Sequence, residues 1–304
     1  MASKSRPAPG PEHVLALFGP TASGKTAVAG ALRERLGVEV VSADSAALYA
    51  GLPVITAAPE YPAKLVGVVP LRAEVSVGEY QRLAHAAIDA AERPLVVGGT
   101  GLYFRAALST LTLPPPAGPG RRAFWQEEYD RLGPEAAHAA LAERDAAAAG
   151  RVHANDRKRV VRALELADSG HSLAPEQNTL WTEDTRLPTT ILALELPLQE
   201  LDRRIEERTH AMVAAGAAEE ARRAWAGPLS DTARKVMGLE QFATLPEANA
   251  IAEVTQATRR LARYQRKWLR RMPGVVRLDG NRAPSEVADE IIALGRERQR
   301  LPGH

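Results

Sequence analysis

At 304 residues, 45% of them hydrophobic and 25% charged, the chain can bury a sizeable core, either as one large α/β domain or as a core with a smaller lobe. It has no cysteine, which excludes disulfides and Cys-based zinc sites. No apolar run approaches the roughly 20 residues that span a bilayer, and a net charge of +2 is too small by itself to imply a polyanionic partner. The opening MASKSRPAPGPEH lacks the apolar stretch of a secretory signal. A soluble, cytoplasmic chain is expected, with disordered tails at 1–12 and 299–304.

In chain order, HVLALF (13–18) reads as a buried strand that ends in Gly-Pro. GKTAVAGALRERLG (24–37) follows with helical spacing and Gly37 as its C-cap. VEVVSAD (38–44) is a second β-branched run, and KLVGVV (64–69) is expected as a third strand. SVGEYQRLAHAAIDAAE (76–92) reads as a helix with Ser76 at the N-cap and Glu79 three residues on, a capping box. PLVVGGTGLYFRAAL is a strand, a glycine turn and a helix; LTLPPPAGPG (111–120) then interrupts the pattern. Residues 121 to about 175 read as helical, TTILALEL (189–196) as a returning strand, and VVRLDG (275–280) as a last one. Strands alternating with helices argue for a parallel, doubly wound sheet. The expected divisions are an α/β core at 13–112, a helical insert lobe at 113–180, and a return to the core at 181–298 with long basic helices.

Gly19, Gly24, Lys25 and Thr26 satisfy G-x-x-x-x-G-K-[ST] between a strand and a helix. In that setting backbone N–H groups wrap a phosphate, Lys25 neutralises its outer oxygens and the Thr26 hydroxyl is a ligand for Mg²⁺. The fold expected is therefore a P-loop NTPase-like parallel sheet flanked by helices. Asp44 ends the second strand, and carboxyl ends of parallel strands line the ligand crevice. It could hold Mg²⁺ through water, act as a base, or cap the turn DSAAL. GGTG (98–101) allows close backbone approach and offers the Thr100 hydroxyl. Segments 151–162 and 259–271 are basic, the second with seven basic residues and no acids. Either is a nucleic-acid face or a solvated helix surface. The seven histidines show no ligand spacing. Trp125, Trp181, Trp225 and Trp268 are read as packing residues rather than base-stacking platforms.

Taken together, GPTASGKTA, VVSADSAALYAGL, ITAAP, VVGGTGLYFRAAL, NDRKRVVRALEL and ARKVMGLEQ resemble, in order and spacing, the tRNA dimethylallyltransferases, also called tRNA isopentenyltransferases, from about residue 13 to 279. The resemblance implies transfer of a dimethylallyl group from its diphosphate to N6 of adenosine 37 of tRNA, with release of pyrophosphate. It implies Asp44 as the base, with Lys25 and Thr26 also catalytic, and diphosphate binding by Gly19, Thr21, Ala22, Ser23, Gly24, Lys25, Thr26 and Lys235, with Arg234 an adjacent candidate. It implies tRNA contacts from Asp44, Ser45, Ala46, Ala47, Thr100, Arg121, Asn155, Asp156, Arg157, Lys158 and Arg159. On the basic helix, Arg259, Arg263, Arg266 and Arg270 share one side, and Leu261, Gln265, Trp268 and Met272 another; the resemblance implies that this helix contacts tRNA, through Arg259 and Arg263. The loop AALYAGLPVITAAP is less polar than in relatives, which usually read MQVYRGMDIGTAKP, and a His-His pair often found before the next strand is missing. With no Cys/His finger after the core, the chain is similar to the bacterial form, and a monomer is expected. Three other readings stay open on the residues alone: a P-loop small-molecule or nucleotide kinase, a non-catalytic P-loop RNA-binding module, and the AMP-prenylating branch.

Overall fold

The computed structural model describes residues 10–114, 118, 120–174 and 179–297. The expected tails otherwise fall outside these, but residues 10–12 are described, and Pro11 is buried. The described residues divide into two compact units, one formed by the segments up to Thr110 and from Leu180 onward, the other by Leu111–Thr179.

The first unit opens with β1 (Val14–Phe18), α1 (Lys25–Leu36), β2 (Glu39–Ser42), a single turn α2 (Pro53–Thr56), β3 (Ala63–Lys64), α3 (Val77–Asp89), β4 (Pro94–Gly98) and α4 (Gly101–Leu108). The second unit holds α5 (Arg121–Leu132), α6 (Pro134–Arg144), α7 (Ala146–Ala149) and α8 (Arg157–Ala167). The first resumes with β5 (Thr189–Glu195), α9 (Leu198–Ala214), α10 (Ala217–Trp225), α11 (Leu239–Thr244), α12 (Glu247–Arg271), β6 (Val276–Asp279) and α13 (Pro284–Glu297).

Six strands form one sheet in the order β3-β2-β4-β1-β5-β6, and every pairing is parallel. All five β1 residues are buried, as a strand covered on both faces requires. On one face, Val28 and Leu32 of α1 and Val287 and Ile291 of α13 pack with Leu15, Leu17, Leu192 and Leu194. Each such side chain contributes roughly 1.5–3 kcal/mol of burial. Phe18 meets Phe104 of α4 edge to face at 5.1 Å. Tyr80 of α3 is fully buried and donates its hydroxyl to the Ser42 carbonyl at 2.9 Å. The Ser76–Glu79 capping box is present in full.

The run 64–69 is not a strand. Only Ala63 and Lys64 pair with β2, because Leu65 (φ 63°) and Gly67 (φ 64°) adopt left-handed backbone that ends the extended chain. Val69 instead makes an isolated bridge to Tyr49.

The 111–179 unit has its own core, built from Trp125, Tyr129, Leu141, Val152, Val160 and Leu164. Glu165 is buried there between Arg122 and Arg162, accepting from each at 2.9 Å. Among the described residues no helix is long and apolar enough to cross a membrane.

Candidate active site

Strand order decides which loops meet. β2, β4 and β1 are neighbours and run parallel. Their carboxyl ends therefore place Asp44, the Gly98–Gly101 turn and the phosphate loop on one edge of the sheet. The joints are tight. The Ala43 N–H bonds the Val97 carbonyl at 2.7 Å, the Gly19 N–H bonds the Gly98 carbonyl at 3.3 Å, and a Cβ at Gly98 would lie 2.3 Å from the Ala43 carbonyl oxygen.

Between Gly19 and Thr26 the chain winds through left-handed backbone at Ala22 (φ 61°) and Gly24 (φ 89°) before α1 begins at Lys25. Alternating turn conformations of this kind aim successive N–H groups into one concavity, and the positive end of α1 points the same way. Ala22 holds a conformation that suits glycine better, a strain of roughly 1–3 kcal/mol. Ser23 is buried beneath Gly19, and its Oγ is enclosed without a hydrogen-bond partner. A cradle with an orphaned buried hydroxyl and strained backbone is built to receive something polar.

Lys25 turns back into this loop, its Nζ donating to the Pro20 carbonyl at 2.7 Å. Burial lowers its pKa to about 8; the Asp44 carboxylate pulls it back up and the Arg208 charge pushes it further down. Arg208, on α9, donates to the Thr21 hydroxyl at 3.0 Å; burial lowers its pKa too, against the pull of Asp44. Two partly buried cations thus face one carboxylate, a surplus of positive charge that a diphosphate would neutralise. Gln265 of α12 is also buried, and its Oε1 accepts the Thr21 N–H at 2.8 Å.

These groups open on a cavity of about 510 Å³ whose polar end holds Thr21, Asp44, Ser45, Ala46, Thr100 and Arg208. Ile55, Ile205, Met212, Val254 and Trp268 contribute apolar wall. A smaller cavity of about 90 Å³ adjoins Lys25, Thr26, Ser42, Asp44 and Ala47. Thr100 Oγ1 lies 3.4 Å from both the N–H and the hydroxyl of Ser45, and Asp44 Oδ1 accepts the Ala46 N–H at 2.9 Å. Asp44 therefore does cap its own turn, with one oxygen, and it lines both cavities. Glu220 of α10, itself buried, accepts the Val54 and Ile55 N–H groups at 3.0 and 2.8 Å. That contact fixes the apolar loop after Asp44 against the cavity.

Of the expected site residues, the phosphate loop, Asp44, Ser45, Ala46, Thr100 and Lys235 come together. Lys235 lines the large cavity, whereas Arg234 stacks on Trp225 with its guanidinium 5.2 Å from the ring centre. Ala47 is buried and faces the small cavity with Thr26, so it packs rather than offering a surface. Arg259 and Arg263 are not free cations: α9 lies alongside, and its Glu206 and Asp202 bond them at 2.8 Å each. Trp268 is a cavity wall as well as a packing residue.

In the 111–179 unit, Arg121 pairs with Asp168 at 3.3 Å, Arg157 with Asp130 at 2.7 Å and Arg159 with Asp156 at 3.4 Å. Asp156 is the N-cap of α8, receiving the Arg159 N–H, which is the structural task of that side chain. Asn155 and Lys158 are exposed, and Lys158 has no ion pair among the described residues. Pairs this exposed are weak, so phosphates could displace them at small cost.

Sequence reasoning missed Arg208 and Glu220 and put Gln265 on a packing face without a task. The signal for Arg208 was a charge at helical spacing among Leu201, Ile205 and Met212. None of the described histidines enters the site, and no group of three or more His, Asp or Glu able to hold a metal occurs among the described residues.

Comparison with known proteins bears on what this geometry is for. Residues 47–272 match the family model described as IPP transferase. The tRNA dimethylallyltransferase of Anaeromyxobacter dehalogenans strain 2CP-1 is 42% identical over 281 residues, covering 86% of this chain and 92% of the relative. That of Streptomyces coelicolor is 39% identical over 298 residues, covering 91% and 93%. Among solved structures, the full-length tRNA isopentenylpyrophosphate transferase of Bacillus halodurans matches with a TM-score of 0.66 at 26% identity, covering 96% of this chain and all of that one. A eukaryotic dimethylallyltransferase, described in crystallographic snapshots acting on tRNA, matches with a TM-score of 0.75 over 95% of this chain and 80% of that one. At 20% identity this second likeness shows the fold.

Proposed function

The chain belongs to the IPP transferase family, and we propose that it transfers a dimethylallyl group from dimethylallyl diphosphate to N6 of adenosine 37 in tRNA, releasing pyrophosphate. The observation that carries the chemistry is the convergence of the phosphate loop, Asp44 and Thr100 on one cavity of about 510 Å³, with room for a small allylic donor and a base. The loop N–H groups, Lys25, Arg208 and Lys235 hold the diphosphate and stabilise the charge that develops as the C1–O bond breaks. The adenine N6 is a weak nucleophile because its lone pair is delocalised. Asp44 orients the amino group and takes its proton as the N6–C1 bond forms. The adenosine must leave its stack to enter the cavity, which calls for a wide grip on the surrounding RNA. The basic residues of α12 and α8 suit that grip.

Mg²⁺ belongs to the same proposal. The donors present are the Thr26 hydroxyl and the Asp44 carboxylate beside the small cavity. So few protein ligands suit an ion held mainly by substrate phosphates and water. When bound it supplies neutralisation of the leaving group. Action in the cytoplasm, by a monomer, completes the proposal.

The kinase alternative falls with family membership. The test supplies dimethylallyl diphosphate and unmodified tRNA bearing A37, and looks for N6-prenyladenosine. Product that disappears by roughly 10²–10⁴-fold in rate for Asp44→Ala supports the base assignment. Unchanged turnover in that variant would refute it, and efficient prenylation of free AMP would move the chain to the cytokinin-type reaction.

A further inference from the structure

On α12, with Arg259 and Arg263 paired to α9, Arg260, Tyr264, Lys267 and Arg271 form an exposed stripe at spacings of four, three and four residues. Tyr264 interrupts the basic residues and is 55% exposed, more than any other exposed large hydrophobic side chain among the described residues. It does not stand alone. Its ring meets Trp268 at 6.5 Å edge to face, and Trp268 in turn meets Trp181 at 4.8 Å. The Arg271 guanidinium covers the Trp181 ring at 3.9 Å.

Trp268 is pinned. A Cβ on Gly101 would lie 2.2 Å from its indole, so the ring rests directly on the backbone at the start of α4. Tyr264 and Trp268 both line the cavity that holds Asp44 and Thr100. An aromatic edge held from behind, flanked by cations and continuous with the cavity, matches what unpaired RNA requires. Bases stack on π-faces while the backbone follows positive charge.

We propose that Tyr264 is a stacking platform for an unpaired nucleobase of the acceptor RNA next to the adenosine that enters the cavity, with Arg260 and Lys267 contacting its phosphates. The inference rests on the tRNA-prenylating reading and assigns that site a specificity surface. Tyr264 acts on RNA binding, not on the donor.

The experiment measures the affinity of an unmodified A37 anticodon stem-loop, by filter binding across a salt series, for the wild type, Tyr264→Ala, Tyr264→Phe, and the pair Arg260→Gln and Lys267→Gln. Stacking predicts a loss of roughly 5- to 150-fold for Tyr264→Ala. Tyr264→Phe retains wild-type affinity. The salt slope is unchanged for Tyr264→Ala but falls by about 0.7 for each cation removed. Wild-type affinity in Tyr264→Ala overturns the proposal. So does an equal loss in Tyr264→Phe, which would assign a hydroxyl contact, and so does an unaltered salt slope in the glutamine variants. Because binding is read without turnover, a wild type that binds this RNA but forms no prenyladenosine would refute the reaction and leave the platform standing.

Discussion

Lys25→Met should stabilise the protein while disabling it. In the folded chain burial lowers the Lys25 pKa from the ordinary 10.5 to about 8. Keeping that ammonium charged inside the site thus costs stability, up to about 3 kcal/mol by linkage. Methionine retains the aliphatic stem that packs beside Gly19 and removes the charge. Against this stand the lost hydrogen bond to Pro20, worth about 1 kcal/mol, and the partial accessibility of the side chain. A net gain of about 1–2 kcal/mol at pH 7 remains.

The sign of the pH dependence follows from the direction of the shift. Between the folded value near 8 and the unfolded 10.5 the unfolded chain binds more protons, so wild-type stability rises with pH across that window. The advantage of the methionine variant is therefore full below pH 8 and shrinks steadily above it. Urea titrations at pH 6.5, 8 and 9.5 can follow tryptophan fluorescence, since Trp181, Trp225 and Trp268 lie in the unit that carries Lys25. Added pyrophosphate should stabilise the wild type more than the variant, because only the wild type offers the ammonium. A variant less stable than wild type at pH 7, or a difference that does not change with pH, would refute the reasoning.

Other expectations can be checked separately. Arg208→Met should raise the Lys25 pKa above 8, read by NMR of the lysine side chains, and should raise the donor KM by roughly tenfold or more through loss of a charged contact. Gly101→Ala drives a methyl group into the Trp268 ring; a loss of about 1–3 kcal/mol is expected, with a changed near-ultraviolet tryptophan signal. Glu220→Ala leaves two N–H groups of α2 without their acceptor, at about 1–3 kcal/mol each, and hydrogen exchange at Val54 and Ile55 should accelerate. Glu165→Ala removes the buried carboxylate that accepts from Arg122 and Arg162 and should destabilise the 111–179 unit by about 1–3 kcal/mol, seen as a shift in its unfolding transition.

How much of this is legible in the sequence depends on whether the information is local. The phosphate loop, the capping box at Ser76 and the strand-end position of Asp44 are written in adjacent residues, and they could be read directly. The strand expected at 64–69 failed because hydrophobic content does not reveal the left-handed turns at Leu65 and Gly67. On α12 the side that carries Arg259 and Arg263 is taken up for a nonlocal reason. Asp202 and Glu206 lie more than fifty positions away, and only the packing of α9 beside α12 shows that they neutralise Arg259 and Arg263.

The same logic explains why the site is completed by residues no motif contains. A phosphate loop fixes where an anion sits but not what happens to it, and the strand ends supply only Asp44 and Thr100. Arg208 and Gln265 come from α9 and α12, and both take hold of Thr21: one through its hydroxyl, the other through its N–H. α12 also seats Trp268 on Gly101, at the turn beside Thr100. The loop that grips a leaving group and the helix that presents Tyr264 are therefore joined by one buried amide. Gln265 accepts an N–H that a bound phosphate would otherwise claim.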